Sequence, residues 1–382
     1  MLERNGSLGK KILVSGGTRC NVLPRAVRPK ADYHTEATFP LLHAILKGWS
    51  LEEARRWLTE DIGLQLKLEE DTSKWFPADD SARGVRDALL HKALSLGVDI
   101  RCGSTVQSVS SESGHWKCMD SAGQVHESEQ LVVATGGLSY PSLGTDGIGH
   151  RIAAQLGHRI VPTYPALTPL AGPHPAGEVL AGLSLPEATL TIKEQNKTLL
   201  ESKKKGFLFT HKGFSGPSVL DLSHLFSRPR GSSEPELIVN WVSMSAQEWE
   251  VVMREEGTRS GLNVTNFLKR LLPNRLAEAL TKELNLQATK QSQLTKTQRK
   301  ELIEGLTQYR LKVTGTMGYK YAEVTGGGVD LTEITANLQS KIHPNLYFCG
   351  EILDVFGPVG GYNFYWAWLT GRTAGISLSN KT

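Results

Sequence analysis

The chain has 382 residues, of which 39% are hydrophobic and 21% are charged. This length suits two or three domains, and the composition is that of a globular protein with a sizeable core. The net charge is only +4, from 43 basic and 39 acidic residues, which favours a small anionic ligand over nucleic acid. We therefore expect a small-molecule substrate and no nucleic-acid partner.

The cysteine spacing and the lengths of the apolar runs exclude further classes of protein. The four cysteines, Cys20, Cys102, Cys118 and Cys349, lack metal-ligand spacing, so no metal site is predicted. So few cysteines in a long chain suit a reducing compartment. No apolar run approaches the roughly 20 residues that span a bilayer, and no signal-peptide pattern follows Met1. The sequence predicts a soluble protein, cytoplasmic or inside an organelle, with no membrane partner.

The N-terminal segment has the pattern of a dinucleotide-binding fold. Glu3 follows an apolar residue, and a basic, Gly-rich loop comes after it. In such folds the acid holds a ribose and the loop lies along the cofactor. No Gly-x-Gly-x-x-Gly turn precedes Glu3, so we expect the first βαβ unit, which grips the pyrophosphate, to be absent. The basic residues are either a solvated surface or a phosphate-facing set: Arg4, Lys10, Lys11, Arg19, Arg25, Arg28 and Lys30.

Helical patterns follow this loop. Residues 39–47 are apolar at helical spacing. Ser50 is placed to cap the next helix, with Glu53 at the capping-box position. A third helix, over residues 81–96, is predicted to end at Gly97.

Strand signals come next, and they end in a glycine turn. Alternating apolar residues predict short strands at residues 98–100, 105–109, 115–119 and 124–126. Residues 131–134 are a continuous apolar run, which predicts a strand buried on both faces. That strand leads into Thr135-Gly136-Gly137, where the backbone is expected to approach another group closely. A helix is predicted over residues 147–157.

From residue 161 the composition changes. Clustered prolines and short alternating runs predict an antiparallel sheet or barrel over residues 161–245. Residues 246–313 are rich in Leu, Lys, Glu and Gln and are predicted to be helical. Residues 1–160 and 314–382 then form one discontinuous domain. The predicted fold class is α/β, a Rossmann-like domain, truncated at its first βαβ unit, with an inserted antiparallel β-barrel and helical domain.

The C-terminal segment carries the densest motif. A strand at residues 346–349 leads into Gly350-Glu351, then Asp354, and a Gly360-Gly361 turn opens a helix. The acids suit ribose or ribityl hydroxyls, and the amides that begin the helix suit an electron-rich ring edge. The alternative is a tight β-to-α turn with incidental glycines.

These motifs resemble those of the BaiN/RdsA-type NAD(P)/FAD-dependent oxidoreductases, flavoproteins with two dinucleotide-binding domains. The resemblance covers nearly the whole chain and rests on five stretches in the family's order: residues 8–22, 134–149, 206–217, 324–329 and 350–363. It implies FAD bound in an extended pose, with NAD(P)H as a possible co-substrate. It also implies that the insertion covers the flavin.

The resemblance also implies roles for individual residues. Glu3 would hold the adenosine ribose, and Val106 would offer backbone atoms to the adenine. The residues implied along the pyrophosphate-to-flavin path are Ser15, Gly16, Gly17, Arg19, Cys20 and Asn21, and those packed on the cofactor are Thr135, Gly136 and Gly137. Those implied at the pyrophosphate and ribityl chain are Gly350, Glu351 and Asp354, and those at the isoalloxazine edge are Gly360, Gly361, Tyr362 and Asn363.

Two features depart from the family pattern. Thr18 stands where the family usually has a third glycine. If the position requires a positive φ, a β-branched residue there is strained by about 1–3 kcal/mol. The missing βαβ unit would remove a central strand and phosphate donors, and it would expose apolar strand edges.

Three side chains are candidates for proton transfer, each with a simpler alternative. His211 lies among glycines and suits an accessible acid or base, or it is a hydrogen-bonded turn residue. Cys20 follows Arg19, which favours a lowered thiol pKa, or it is a small packing residue. Tyr362 is placed to donate a proton, or it lines the cofactor pocket.

The sequence supports two main hypotheses. The first is an FAD-dependent oxidoreductase that passes a hydride through the flavin between NAD(P)H, or a reduced substrate, and a small organic acceptor. Reduction of an enone-type double bond and amine oxidation are both open. The second is a truncated, non-catalytic form that cannot hold FAD by itself. A tRNA-modifying flavoprotein is disfavoured by the weak net charge and by the lack of a basic, aromatic stripe.

Overall fold

The computed structural model describes residues 1–112, 114–202, 205–229, 234–242, 244–257 and 261–379. The chain forms two compact units, and each has its own hydrophobic core. The first consists of Met1–Pro165 with Glu323–Thr382, and the second of Ala166–Ala322. The sequence pattern predicts the corresponding boundaries after residues 160 and 313.

Most strands of the described chain are short. In chain order they are β1 (Leu2–Glu3), β2 (Leu23–Pro24), β3 (Leu66–Glu69), β4 (Lys74–Pro77), β5 (Arg101–Cys102), β6 (Val106–Glu112), β7 (His115–Asp120), β8 (Val125–Ser128), β9 (Leu131–Val133), β10 (Ile160–Ala166), β11 (Leu170–Ala171), β12 (Ser184–Glu194), β13 (Lys197–Glu201), β14 (Lys205–Thr210), β15 (Gly213–Ser215), β16 (Glu236–Asn240), β17 (Tyr309–Leu311), β18 (Gly315–Thr316), β19 (Val324–Val329) and β20 (Leu346–Phe348).

The α-helices range from single turns to the long C-terminal helix. They are α1 (Lys10–Val14), α2 (Pro29–Asp32), α3 (Phe39–Leu46), α4 (Leu51–Arg56), α5 (Ala82–Ser95), α6 (Ile148–Gln155), α7 (Pro217–Leu222), α8 (His224–Ser227), α9 (Ala246–Gly257), α10 (Val264–Leu268), α11 (Asn274–Glu283), α12 (Lys296–Thr307) and α13 (Tyr362–Ser379). The capping box predicted for α4 is present, because Glu53 N donates to Ser50 Oγ (3.2 Å) and Ser50 N donates to Glu53 Oε2 (2.8 Å).

The first unit pairs strands that are distant in sequence. β1 runs parallel to β5, and β9 runs parallel to β20 with Leu131 opposite Leu346. β10 pairs with β19, and two three-stranded sheets have the orders β2-β4-β3 and β6-β7-β8. Parallel pairing of distant strands requires crossover connections. These parallel pairs agree with the predicted α/β class.

One predicted burial pattern in this unit is wrong. The apolar run of β9 predicts a strand covered on both faces, yet Val132 is 36% exposed while Val133 is 4% exposed. In the described residues β9 pairs only with β20. A strand with a neighbour on one side leaves part of its surface uncovered, so apolar composition alone overestimates burial here.

The second unit is built on an antiparallel sheet. Its strand order is β17-β16-β12-β14-β15-β11-β18, and β13 pairs with β12. Phe207, Phe209 and Phe214 point into the core with Trp241, whose ring stacks on Phe209 at 5.8 Å. Helices α7 to α12 contribute further apolar residues to this core. The predicted antiparallel sheet and helical segment therefore both belong to this unit.

Candidate functional site

A cluster of polar side chains joins four of the five stretches on which the family resemblance rests. Lys11 Nζ, on α1, donates to Glu351 Oε2 and to Ser139 Oγ (2.8 Å). Ser139 Oγ donates to Glu351 Oε1 (2.7 Å), and Thr325 N donates to the same oxygen (2.9 Å). The hydroxyl of Thr325 accepts from Leu138 N (2.7 Å). Side-chain hydrogen bonds thus hold together loops that are up to 340 residues apart.

Gly137 lies against this cluster, and only a glycine fits there. A Cβ at this position would lie 2.6 Å from Thr325 Cβ and 2.7 Å from Glu351 Oε1. Thr135, two residues earlier, packs its side chain against Gly149 of α6 at a similarly close distance. The close approach predicted for Thr135-Gly136-Gly137 is therefore present, and the groups approached are protein side chains.

Helix α13 fixes the backbone around Gly350. Gly350 N donates to Thr370 Oγ1 (2.9 Å), and Trp366 Nε1 donates to Gly350 O (3.1 Å). Gly350 has φ 78°, which favours glycine. The residue before Glu351 is thus held by two buried side chains of the last helix.

The Gly360-Gly361 turn packs on strand β2. A Cβ at Gly361 would lie 2.8 Å from Leu23 Cα and N and closer still to the Leu23 carbonyl carbon. On α13, Trp368 Nε1 donates to Val22 O (3.2 Å). Tyr362, half-buried, accepts at its carbonyl from Tyr33 Oη (2.9 Å). The C-terminal turn and the end of the N-terminal loop are therefore in direct contact.

Asn363 and Asp354 have partners within the protein. Asn363 Oδ1 accepts from Gly357 N (2.8 Å), and its Nδ2 donates to Gly357 O (2.9 Å). Asp354 is buried, and its Oδ2 accepts from Glu36 N (2.7 Å) and Thr35 Oγ1 (3.2 Å). Both side chains shape loops of the site, and their contacts with a cofactor stay predictions.

The N-terminal loop is strongly curved. Ser15–Thr18 form a 3-10 turn in which Gly16 has φ 54° and Gly17 has φ 66°. Thr18 adopts φ 72°, the positive φ for which the sequence predicts strain. Asn21 contacts Gly16, whose Cβ would lie 3.1 Å from Asn21 N. A β-branched residue therefore occupies a left-handed position on an exposed turn.

The expected lowering of the Cys20 pKa is wrong. Cys20 is fully buried, and burial raises the pKa of its thiol to about 11, although a hydrogen bond with Ser15 acts in the opposite direction. Arg19 does not activate the thiol, because its guanidinium binds Glu69 and Asp80 and lies 4.2 Å from the centre of the Phe76 ring. The packing alternative for Cys20 is the one that agrees with this geometry.

Glu3 and Val106 lie on the β1–β5 and β6–β7 pairs. Glu3 Oε1 accepts from Asn5 N (2.8 Å) and Asn5 Nδ2 (2.9 Å), and Lys10 Nζ donates to Asn5 Oδ1 (2.9 Å). Among the described residues Oε2 of Glu3 accepts no hydrogen bond. Val106 stands opposite Asp120 at the start of β6.

Three glycines of the motif stretches have backbones that are open to a ligand such as a flavin dinucleotide. Gly17, Gly136 and Gly350 have positive φ, and no described atom lies within 4 Å of the position that a Cβ would take. The backbones of these three glycines are open enough to accept a ligand, a property that they share with surface glycines such as Gly63 and Gly97. Glu3 and Glu351 supply the carboxylates that suit the hydroxyls of such a ligand.

His211 belongs to the second unit. It lies in the exposed turn between β14 and β15. This position agrees with the accessibility predicted for it, and its role in proton transfer stays a prediction.

Sequence reasoning missed Ser139, Thr325 and His150, and it named Lys11 only as one of the basic residues of the N-terminal segment, without its carboxylate partner. His150 on α6 is 7% exposed, its Nε2 lies 3.2 Å from Ile352 O, and its Nδ1 is buried without a partner in the described chain. Burial lowers the pKa of His150. Each of the four lies in or next to a motif stretch, but the pairing of Lys11 with Glu351 leaves no signal in local spacing.

Comparison with known proteins identifies the family. The profile of the HI0933-like protein Rossmann domain matches residues 1–377. The chain belongs to this family. Membership confirms the resemblance on which the expected cofactor and site residues rest. None of the helices that the structure describes is long and apolar enough to span a bilayer.

Three known proteins align over nearly the whole chain. "Ribosomal RNA dihydrouridine synthase" of Escherichia coli (strain K12) is 33% identical over 375 residues, covering 96% of this chain and 88% of the relative. The protein of the same name from Haemophilus influenzae is 30% identical over 399 residues, covering 100% and 92%. "3-dehydro-bile acid delta(4,6)-reductase" of Clostridium scindens is 28% identical over 391 residues, covering 100% and 92%.

The expectation that this HI0933-like chain has no nucleic-acid partner is wrong. Two relatives that align over its full length carry names that specify ribosomal RNA. The error has a physical reason. Net charge reports phosphate neutralisation, whereas RNA is also recognised by shape and by unstacked bases, which a near-neutral protein can read.

Proposed function

We propose that the chain is an FAD-dependent oxidoreductase that reduces uridine in ribosomal RNA to dihydrouridine, with NAD(P)H as the source of electrons. The observation that carries the proposal is the full-length similarity to two proteins named ribosomal RNA dihydrouridine synthase. The glycine turns and carboxylates of the first unit support the cofactor.

When bound, FAD would supply the hydride after its own reduction by NAD(P)H. In the protein, Glu3 and Glu351 would hold hydroxyls of the cofactor. The backbones at Gly17, Gly136 and Gly350 would border it. Helix α13 would keep the last of these in place through Trp366 and Thr370.

The reaction breaks the C5=C6 π bond of the uracil ring. A hydride forms the new C–H bond at C6, and a proton forms the one at C5, so NAD(P)H and one proton are consumed per uridine. We propose Tyr362 and His211 as the candidate proton donors. Cys20 is the weakest candidate because its thiol is buried and has a raised pKa.

A second candidate substrate is a small molecule with a conjugated double bond. The relative named 3-dehydro-bile acid delta(4,6)-reductase favours it. In both cases hydride would add to a double bond conjugated with a carbonyl, so one site chemistry serves either substrate. The two proposals differ in what the protein must bind outside the flavin.

The test uses the purified full chain, unmodified ribosomal RNA and NAD(P)H. We expect a yellow protein with bound FAD and a gain of two hydrogens at defined uridines, detected by mass spectrometry of nuclease digests. A reaction without NAD(P)H and one with a small enone serve as controls. Turnover of the enone alone would favour the second substrate. A colourless protein that does not take up added FAD would favour the non-catalytic alternative.

A further inference from the structure

Lys11 occupies the centre of the site without a role in the proposed function. Its ammonium binds the Glu351 carboxylate and the Ser139 hydroxyl, and its side chain is 41% exposed, whereas that of Glu351 is 18% exposed. The neighbouring Lys10 instead binds the amide oxygen of Asn5. Two adjacent lysines thus have different partners, and of the two only Lys11 meets a carboxylate, one that is largely shielded from solvent.

The hydrogen bonds of Glu351 leave limited room for a ligand. A carboxylate has about four lone-pair positions. Oε1 accepts from Ser139 Oγ and Thr325 N, and Oε2 accepts from Lys11 Nζ. Among the described contacts, this leaves one position on Oε2 of the residue that follows the open backbone of Gly350. A ligand hydroxyl is the group that such an acceptor suits.

Lys11 also decides whether Glu351 is an acceptor. Burial by itself would raise the pKa of Glu351, but the charge and hydrogen bond of Lys11, with those of Ser139 and Thr325, outweigh it and lower the pKa. Among the described residues, His150 of α6 also feels this carboxylate, which raises the His150 pKa, although burial outweighs that effect and lowers the pKa. Lys11 is therefore the cation that keeps Glu351 ionised.

We infer that Lys11 is a positioning residue that holds Glu351 as the acceptor of a hydroxyl on the sugar chain of the flavin cofactor. The inference rests on the proposed function for the presence of FAD. It assigns Glu351 a direct contact with the cofactor and Lys11 an indirect one. If Glu351 were protonated, Oε2 would become a donor, and the hydroxyl would lose its acceptor.

The test measures the FAD dissociation constant of the full chain from about pH 5.5 to about pH 8.5. Wild-type affinity should change little over this range. Lys11→Met should weaken binding between about ten- and a hundredfold, the usual effect of losing a hydrogen bond to a charged group, and most strongly at low pH. Lys11→Arg should restore the flat profile, and Lys47→Met, at an exposed lysine of the same unit outside the site, is the control.

A double-mutant cycle separates positioning from direct contact. Glu351→Gln should weaken FAD binding without pH dependence, and adding Lys11→Met to that variant should have no further effect. An equal loss from Lys11→Met in both backgrounds would mean that Lys11 binds the cofactor itself, and the inference would fall. Thermal unfolding of each variant without FAD shows whether any loss arises from misfolding.

The remaining outcomes are also decisive. If the wild type and Lys11→Met bind FAD equally well, the inference about Lys11 is overturned and the proposed function stays intact. Wild-type protein that does not bind FAD would overturn both.

Discussion

Replacement of Gly361 by alanine tests whether the C-terminal turn is a close contact that the fold requires. The new Cβ would meet the backbone of Leu23 at 2.8 Å or less, and the residue has φ 90°. A non-glycine residue in this region costs about 1–2 kcal/mol, and overpacking adds about 1–3 kcal/mol. We therefore expect Gly361→Ala to lower the unfolding free energy by about 2–5 kcal/mol.

Gly375→Ala, in the helix that follows Gly361, is the control. Gly375 lies inside α13 with no described atom within 4 Å of its Cβ position, so alanine should stabilise it by about 0.5–1 kcal/mol. Urea unfolding followed by tryptophan emission is a suitable assay because six of the eight tryptophans lie in the first unit. Equal midpoints for Gly361→Ala and wild type would refute the reasoning.

Three further predictions concern single side chains. Thr18→Gly should raise the unfolding free energy by up to about 1 kcal/mol, because relief of left-handed strain exceeds the entropy cost of glycine. An aromatic disulfide reagent should modify exposed Cys102 at once in the native protein, and buried Cys20 only on unfolding, because the pKa of its thiol is about 11. Burial lowers the pKa of His158 in the folded protein, although Glu333 acts in the opposite direction. The contribution of neutral His158 to the unfolding free energy should therefore be fully present above about pH 6.5 and be lost as the pH falls through the lower folded pKa. The melting temperature of His158→Gln should depend less on pH than that of the wild type.

Opposite results have clear meanings. A destabilised Thr18→Gly would mean that the threonine side chain makes a contact worth more than the strain. Rapid native modification of Cys20 would mean that the N-terminal loop opens readily. An unchanged pH profile for His158→Gln would assign the acid sensitivity to other groups.

Sequence patterns located the loops of the site but not the partners of their side chains. The glycines, Glu351 and the turn at residues 360–361 stand out because their spacing is local. Ion pairs such as that of Lys11 with Glu351, 340 residues apart, depend on the tertiary fold. Cys20 illustrates the same limit, because the nearby positive charge of Arg19 is satisfied by Glu69 and Asp80, while burial sets the thiol pKa.

The sequence predicted the fold class and the types of secondary-structure element better than it predicted the burial of side chains and the binding partners. Capping at Ser50 follows from residues three positions apart, and the structure has it. Burial of Val132 depends on how many strands flank β9, which composition does not report. The nucleic-acid partner was excluded from net charge, a property of the whole chain that says little about one binding surface.

Helix α13 has a consequence for biosynthesis. Its side chains bind carbonyls of Val22, Trp49 and Gly350, and the first two contacts span 346 and 316 residues. A ribosome that adds roughly 5–20 residues per second makes Trp368 about 20–70 s after Val22. During that interval the N-terminal loop lacks its final packing partner, so chaperones can bind it for that time. Slower translation of the last codons should lengthen this interval.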